Sequence, residues 1–332
     1  MNRRKFVALI GGALAAPLAF GQQPGKLVRI GVLAQVFTLR SETWKPFFLA
    51  LEKRGWHEGD KYVLEVKEAR GNPVRALELA KELVQQRVDV VLALSTAAAV
   101  AAKQVTDRIP VVTWCGYPVE AGIASSLARP GGNVTGVANY ANADIWGKFV
   151  QLLRDLRPGL RELGVLWDYS PPAFPDGLVP IPAIQRAAQE MGIRSRVWMV
   201  RREQDLIDAK SAISRSRVEA LAITYSGGIH FQPAALDSIR ELVIDRRLPA
   251  ITDIAGPDLA RMGCALAYSP NVLAILNRLA HFVDRVLRGA NPADLPFELP
   301  SRFDLVINAN IVKSLGLTIP QSMLLRADRV IE

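Results

Sequence analysis

Cysteine is nearly absent, with two residues in a chain of 332. That count excludes a disulfide scaffold and a multi-cysteine zinc or iron–sulfur site. Histidine is almost as scarce: His57, His230 and His281 lie far apart and offer no HExxH spacing, which argues against a histidine-rich metal site. The nucleotide and hydrolase signatures are missing too. There is no GxSxG elbow, no GxxxxGK[ST] loop, and no GxGxxG after the first predicted strand. Past residue 20 no stretch is long and apolar enough to span a bilayer. Basic residues do not cluster beyond pairs such as Arg201-Arg202 and Arg246-Arg247, so no nucleic-acid stripe is expected.

What remains is a chain made for packed cores, half hydrophobic and 22% charged. At roughly 100–200 residues per domain its length suggests two domains. The formal charge is +9. Arg3, Arg4 and Lys5 contribute three of those charges, in a segment read as removable.

That segment reads as an address. A basic start with twin arginine (Arg3, Arg4) precedes an apolar run over residues 6–20, interrupted by Gly11, Gly12 and Pro17. Ala19 and Gly21 are small residues at the positions a signal peptidase reads, which places cleavage after Gly21. The run is about 15 residues against the ~20 that hydrocarbon thickness requires, so it is read as a signal rather than a span. The twin arginine and weakly hydrophobic core point to the twin-arginine route, with general secretion as the alternative. The mature chain is expected to be exported and soluble. In an oxidising compartment Cys115 and Cys264 could pair, but buried free thiols are the expectation, since the sequence gives no reason for them to meet.

The body alternates strand and helix. Strands are predicted over 27–34, 62–67, 89–94 and 109–114, separated by helices over 42–54, 73–86 and 97–105. The pattern then repeats. Phe149, Leu152, Leu153 and Leu156 mark a helix; strands over 163–167, 196–200, 220–224 and 250–252 alternate with helices over 184–191, 206–214 and 233–245. Alternation of this kind predicts parallel sheets covered by helices on both faces. Two runs predict two doubly wound α/β lobes.

The remainder is a strand over 264–268 and a helix with the stripe Val272, Leu276, Leu279, Val283 and Val286. Pro-rich chain (Pro292, Pro296, Pro300) and a strand over 305–307 follow. These are too little for a third domain and read as elements returned to the two lobes. The expected division is a signal over 1–21, a first lobe of 27–140 plus 270–291, and a second of 141–269 plus 292–332. Three crossings, near 140, 270 and 292, would make a hinge over a cleft.

In open parallel sheets, ligands bind beyond the carboxyl ends of the strands. This rule nominates Gln35, Val36 and Phe37 after the first strand, Ser95 and Thr96 after the third, and Gly116 and Tyr117 after the fourth. In the second lobe it nominates Asp168 and Tyr169, Tyr225 and Ser226, Asp253, and Tyr268 with Ser269. Ser95 and Thr96 open a helix whose free amides favour an anion, unless they serve only as its cap. Phe37, Tyr117, Tyr225 and Tyr268 could stack on a planar ligand or simply pack their lobes. Asp253 could hold a ligand amine or hydroxyl, or cap a loop. Trp44 is either a cleft residue or core.

Several runs are distinctive together: Arg-Ile-Gly-Val-Leu (29–33), Gly-Trp-His-Glu-Gly (55–59) and Leu-Ala-Arg-Pro-Gly-Gly-Asn-Val-Thr-Gly (127–136). Others are Arg-Leu-Pro-Ala-Ile (247–251), Val-Asp-Arg-Val-Leu-Arg-Gly-Ala-Asn-Pro-Ala-Asp-Leu-Pro (283–296), Phe-Asp-Leu-Val-Ile-Asn (303–308) and Leu-Gly-Leu-Thr-Ile-Pro (315–320). With them the chain, from about residue 27 onward, resembles the ABC-transporter substrate-binding family whose relatives bind tryptophan or tyrosine. The resemblance implies a type I periplasmic-binding-protein fold and a small ligand held between two lobes. It further implies delivery to an inner-membrane ABC permease, with no cofactor, no metal, no nucleic acid and a monomeric periplasmic protein. Two positions depart from the family's pattern. Tyr117-Pro118-Val119 stands where relatives carry Asp-Pro-Val, and Ala97 where they often carry Pro. A periplasmic sensor that docks on a signalling receptor is the alternative reading, since the same fold serves both.

Overall fold

The computed structural model describes residues 27–34, 42–140, 144–168, 180–224, 233–254 and 261–332. Gln35, Val36, Phe37, Tyr169, Tyr225, Ser226 and the signal segment fall outside the described residues, as does the side chain of Asp168.

The first sheet has the order β2-β1-β3-β4-β5. Its strands are β1 (Val28–Ala34), β2 (Tyr62–Glu68), β3 (Val90–Leu94), β4 (Val111–Cys115) and β5 (Val134–Ala138), and every pairing is parallel. β3 and β5 are buried at every position, the pattern of strands covered on both faces. Helices α1 (Lys45–Glu52), α2 (Pro73–Gln85) and α3 (Thr96–Val105) join the strands. Asn72 starts α2 by accepting the amides of Val74 and Arg75, and Pro73 at the first helical position needs no partner for its nitrogen.

The second sheet has the order β12-β11-β10-β9-β8-β6-β7. Its strands are β6 (Glu162–Asp168), β7 (Arg194–Val200), β8 (Ala220–Thr224), β9 (Ala250–Thr252), β10 (Leu266–Pro270), β11 (Phe303–Asn308) and β12 (Arg329–Ile331). Helices α4 (Asp144–Leu156), α5 (Pro180–Glu190), α6 (Glu203–Arg215) and α7 (Pro233–Asp245) cover it. The short helices α9 (Ala309–Ser314) and α10 (Gln321–Leu324) follow β11. All its pairings are parallel except β10 with β11, which is antiparallel. The reason is topological. The chain leaves the lobe at the carboxyl end of β10 and re-enters beside that point, so the returning strand must run back.

The predicted stripe becomes α8 (Val272–Leu287). Asn271 caps it through the amide of Ala274. Ile275, Leu276, Leu279, Phe282, Val283 and Val286 are buried in one core with Trp44, Phe47 and Leu51. Burying such side chains is worth roughly 1.5–3 kcal/mol each, which fixes α8 to the first lobe although it follows β10 of the second. Trp44 is therefore core, edge-on to Phe47 at 5.8 Å.

One boundary differs from the sequence expectation. The chain does not leave the first lobe at 292. Leu295 and Phe297 are buried in first-lobe cores. The Thr135 hydroxyl donates to Leu295 O at 2.7 Å, Glu298 N donates to Gly136 O at 3.0 Å, and Ala138 N donates to Glu298 O at 2.9 Å. Residues 292–298 thus flank β5, and the third crossing lies between Glu298 and Phe303. It is laced to the second crossing. Asn271 N donates to Arg302 O at 3.0 Å and Asn271 Nδ2 to Asp304 Oδ2 at 2.7 Å, while Arg302 pairs with Asp304 at 2.9 Å and Asp328 at 2.5 Å.

Candidate functional site

The carboxyl ends of the strands meet where the crossings pass between the lobes. On the first lobe, Ser95 and Thr96 serve their own element. Ser95 Oγ accepts the Ala98 amide at 3.0 Å, the cap of α3. Thr96 is buried, and its Oγ1 accepts Gly116 N at 3.0 Å and donates to Gly116 O at 3.3 Å. That pair of bonds ties the first turn of α3 to the loop after β4 and sets the backbone that presents Tyr117. The hydroxyls of Ser95 and Thr96 thus already have partners within the lobe.

Tyr117 is 3% exposed, with φ at +40°, a left-handed backbone uncommon for a bulky residue. Its hydroxyl accepts the indole N–H of Trp146, in the first turns of α4, at 2.6 Å. Its ring packs on Tyr140 at 5.4 Å between centroids, and Tyr140 packs on Trp146 at 5.3 Å. Tyr140 Oη donates to Asp253 Oδ2 at 2.9 Å. The four residues therefore form one buried assembly, with Asp253 only 8% exposed. Burial pushes both phenols well above their ordinary pKa, and the nearby charge of Asp253 adds to the effect. Both stay protonated across the usable pH range, so each keeps a proton to donate.

Asp253 has a polar neighbour. Ile223 pairs with Thr252 and Trp167 with Thr224, so one residue further along, Thr224 and Asp253 fall on the same row and face of the second sheet. Thr224 is 1% exposed and its hydroxyl has no hydrogen-bond partner. A buried polar group without a partner calls for an explanation. Tyr268 shares the row by the register of Ala267 with Thr252. It spends one face on Phe303, stacked at 5.6 Å. Burial, and then Asp328, raise its phenol pKa as well. Ser269, on the next row, is 2% exposed and its hydroxyl too lacks a partner.

The structure thus brings Tyr117 and Asp253 together, places Tyr268 one residue past the Ala267–Thr252 pair, and leaves Ser95 and Thr96 as local ties. Sequence reasoning missed Tyr140, Trp146 and Thr224. The signal for Thr224 was present, since it is the last residue of its strand. Tyr140 and Trp146 flank the first crossing, and a rule that inspects only strand ends passes over a helix's opening turns.

The cysteines take no part. Both are buried and free, in different lobes; burial pushes the Cys115 thiol up to about 12 and raises Cys264 likewise, which makes both poor nucleophiles. Among the described residues no group of three His, Cys, Asp or Glu could hold a metal ion. Also among them, no helix is long and apolar enough to cross a membrane.

Two doubly wound lobes, three crossings and a polar, aromatic seam at the facing strand ends define a type I periplasmic-binding-protein fold. The family model for ABC transporter substrate binding proteins matches residues 38–331, and the chain belongs to that family. Among its relatives is a tyrosine-binding protein of Clostridioides difficile (strain R20291). It is 24% identical over 281 residues, which cover 82% of this chain and 76% of the relative. Of similar solved structures, a conserved domain protein of Vibrio cholerae superposes with a TM-score of 0.81 at 23% identity, covering 92% of this chain and all of that one. An ABC domain from Streptococcus pneumonia, crystallised in complex with L-Trp, gives 0.79 at 22% identity with the same coverage.

Proposed function

We propose that this chain is the extracytoplasmic solute-binding component of an ABC importer. It takes up a small amino-acid-like ligand between its lobes and hands it to an inner-membrane permease. The observation that carries this reading is Asp253: a buried carboxylate at the carboxyl edge of the second sheet, bonded by the Tyr140 phenol, whose ring packs in turn on Tyr117 and Trp146. A carboxylate in that setting suits a protonated amine, and the rings suit an apolar or planar side chain. The relatives named for tyrosine and crystallised with L-Trp favour the same ligand class. Thr224 joins the proposed site as a second oxygen beside Asp253, and Gln35, Phe37, Gly116, Tyr225, Ser226 and Tyr268 remain its proposed rim.

Capture needs no covalent step. A ligand that touches both lobes stabilises the closed arrangement by its differential affinity for it. The basic N-terminal segment would deliver the folded chain to the periplasm through the twin-arginine route.

Thermal shift of the mature protein with L-tyrosine, L-tryptophan and 3-(4-hydroxyphenyl)propionate tests the reading. A bound ligand raises the melting point by mass action, about 2.7 kcal/mol at a hundredfold excess over Kd. The amino acids should shift wild type while the deaminated acid does not, and Asp253→Asn should abolish the shift. A shift equal for all three compounds, or retained in Asp253→Asn, would remove Asp253 from the site. No shift with either amino acid would reject the ligand class.

A further inference from the structure

The seam between the lobes is closed by the protein's own side chains. Trp146 belongs to the second lobe and Tyr117 to the first, and the hydrogen bond between them crosses the cleft. Ala97 and Tyr117, both first-lobe residues, pack into the buried cluster that otherwise forms the second lobe's core. Tyr140, at the first crossing, lies against both rings and is itself held by Asp253.

Two costs make this contact more than incidental. The Trp146 indole is 1% exposed, and a buried N–H without an acceptor is destabilising. Tyr117 Oη is its acceptor, and it lies in the other lobe. A left-handed backbone at a bulky residue is strained and persists only where its surroundings over-determine it. At Tyr117 those surroundings are the Thr96–Gly116 bonds and the bond from Ala121 N to Tyr117 O within its own lobe, with Trp146 and Tyr140 across and along the seam.

We propose that the Tyr117–Trp146 contact is a ligand-independent latch: it holds the two lobes together in the empty protein, so that ligand enters only through a minor open population. The aromatic ring nominated as a stacking surface for ligand is, on this assignment, first a clasp between lobes. Ligand affinity is then reduced by the fraction of molecules that are open, and loosening the latch removes that reduction. Association is set by the opening rate.

The inference rests on the two-lobe hinge of the proposed function but not on its ligand, and its test needs none. Spin labels on cysteines introduced at the exposed Lys61 of the first lobe and Arg217 of the second report the interlobe distance by electron–electron double resonance. Cys115 and Cys264 are buried and stay unlabelled. Wild type, with no ligand, should give one short distance. Tyr117→Phe keeps the ring, removes the acceptor and should add a longer-distance population. Trp146→Phe tests the same bond from the other side should Tyr117→Phe fold poorly. The double variant should open no further than the more open single one. A wild type that already shows the longer distance overturns the latch, as do variants whose distances match a short wild type. A latch that opens as expected in a protein that takes up no amino acid would overturn the proposed ligand alone. Uptake by a protein whose variants stay shut would overturn the latch alone.

Discussion

Of the described glycines, Gly136 is the one where an added Cβ would meet the tightest contact. It sits mid-strand in β5, directly opposite Thr113 of β4, with φ at +147°. A Cβ placed there would lie 2.0 Å from Thr113 O and 2.7 Å from Thr113 N, atoms of backbone that cannot swing aside. Retreat in the other direction is blocked, because Gly136 O accepts Glu298 N at 3.0 Å from the far side of the strand. Gly136→Ala therefore combines overpacking, about 1–3 kcal/mol, with a dihedral that L side chains rarely adopt, another 1–3 kcal/mol. At about 4 kcal/mol in all, and about 2–4 °C of melting temperature per kcal/mol for a lobe-sized unit, the midpoint should fall by about 8–16 °C. Gly132, four residues earlier in the same run, is the control. A Cβ there meets nothing within 4 Å, so Gly132→Ala should stay within about 0.5 kcal/mol of wild type. Circular dichroism melts of the three proteins suffice. A Gly136→Ala protein that melts within about 2 °C of wild type would refute the reasoning, since no relaxation short of moving β4 could absorb the clash.

Thr224→Val keeps the shape of a buried side chain and deletes an oxygen without a partner. The empty protein should be unchanged or more stable by about 1 kcal/mol, while the ligand-induced rise in melting point shrinks; a loss of stability in the empty protein would mean that the hydroxyl has a structural partner. His281 gives the pH dependence. Burial, with Arg278, Arg54 and Arg285 nearby and outweighing Glu298, holds its imidazole below the ordinary 6.5. Folding then disfavours its proton, so its contribution is present above pH 6.5 and is lost as pH falls below that value toward the folded-state pKa. His281→Gln should flatten part of the stability decline from pH 7 to 5 in denaturant titrations, and an unchanged slope would remove His281 as its source.

The parts of the fold legible in the sequence were those with a strong period. The α8 stripe announced a buried helix face, and the β-branched runs of β1, β3 and β8 announced strands. β12 is three residues long and two of them are exposed, so it carries no alternation to read. Residues 292–298 were read as linker because prolines break both helical and strand patterns. Only long-range bonds to β5 reveal their lobe. At the proposed site, the strand-end rule nominated Tyr117 and Asp253, which the structure links through Tyr140. It could not tell that Tyr117 would be engaged by Trp146, because that partnership is decided by how two lobes meet and leaves no local pattern. The same holds for Thr96, whose partner Gly116 is twenty residues away.

The position of α8 has a consequence for how the molecule is made. Trp44, Phe47 and Leu51 emerge early from the ribosome, yet the helix that covers them spans Val272–Leu287, and more than a hundred residues of the other lobe come between. Domains ordinarily finish in order of synthesis. Here the amino-terminal half must wait with an oily flank uncovered, and a nascent chain stalled before residue 272 would be a natural client for chaperones.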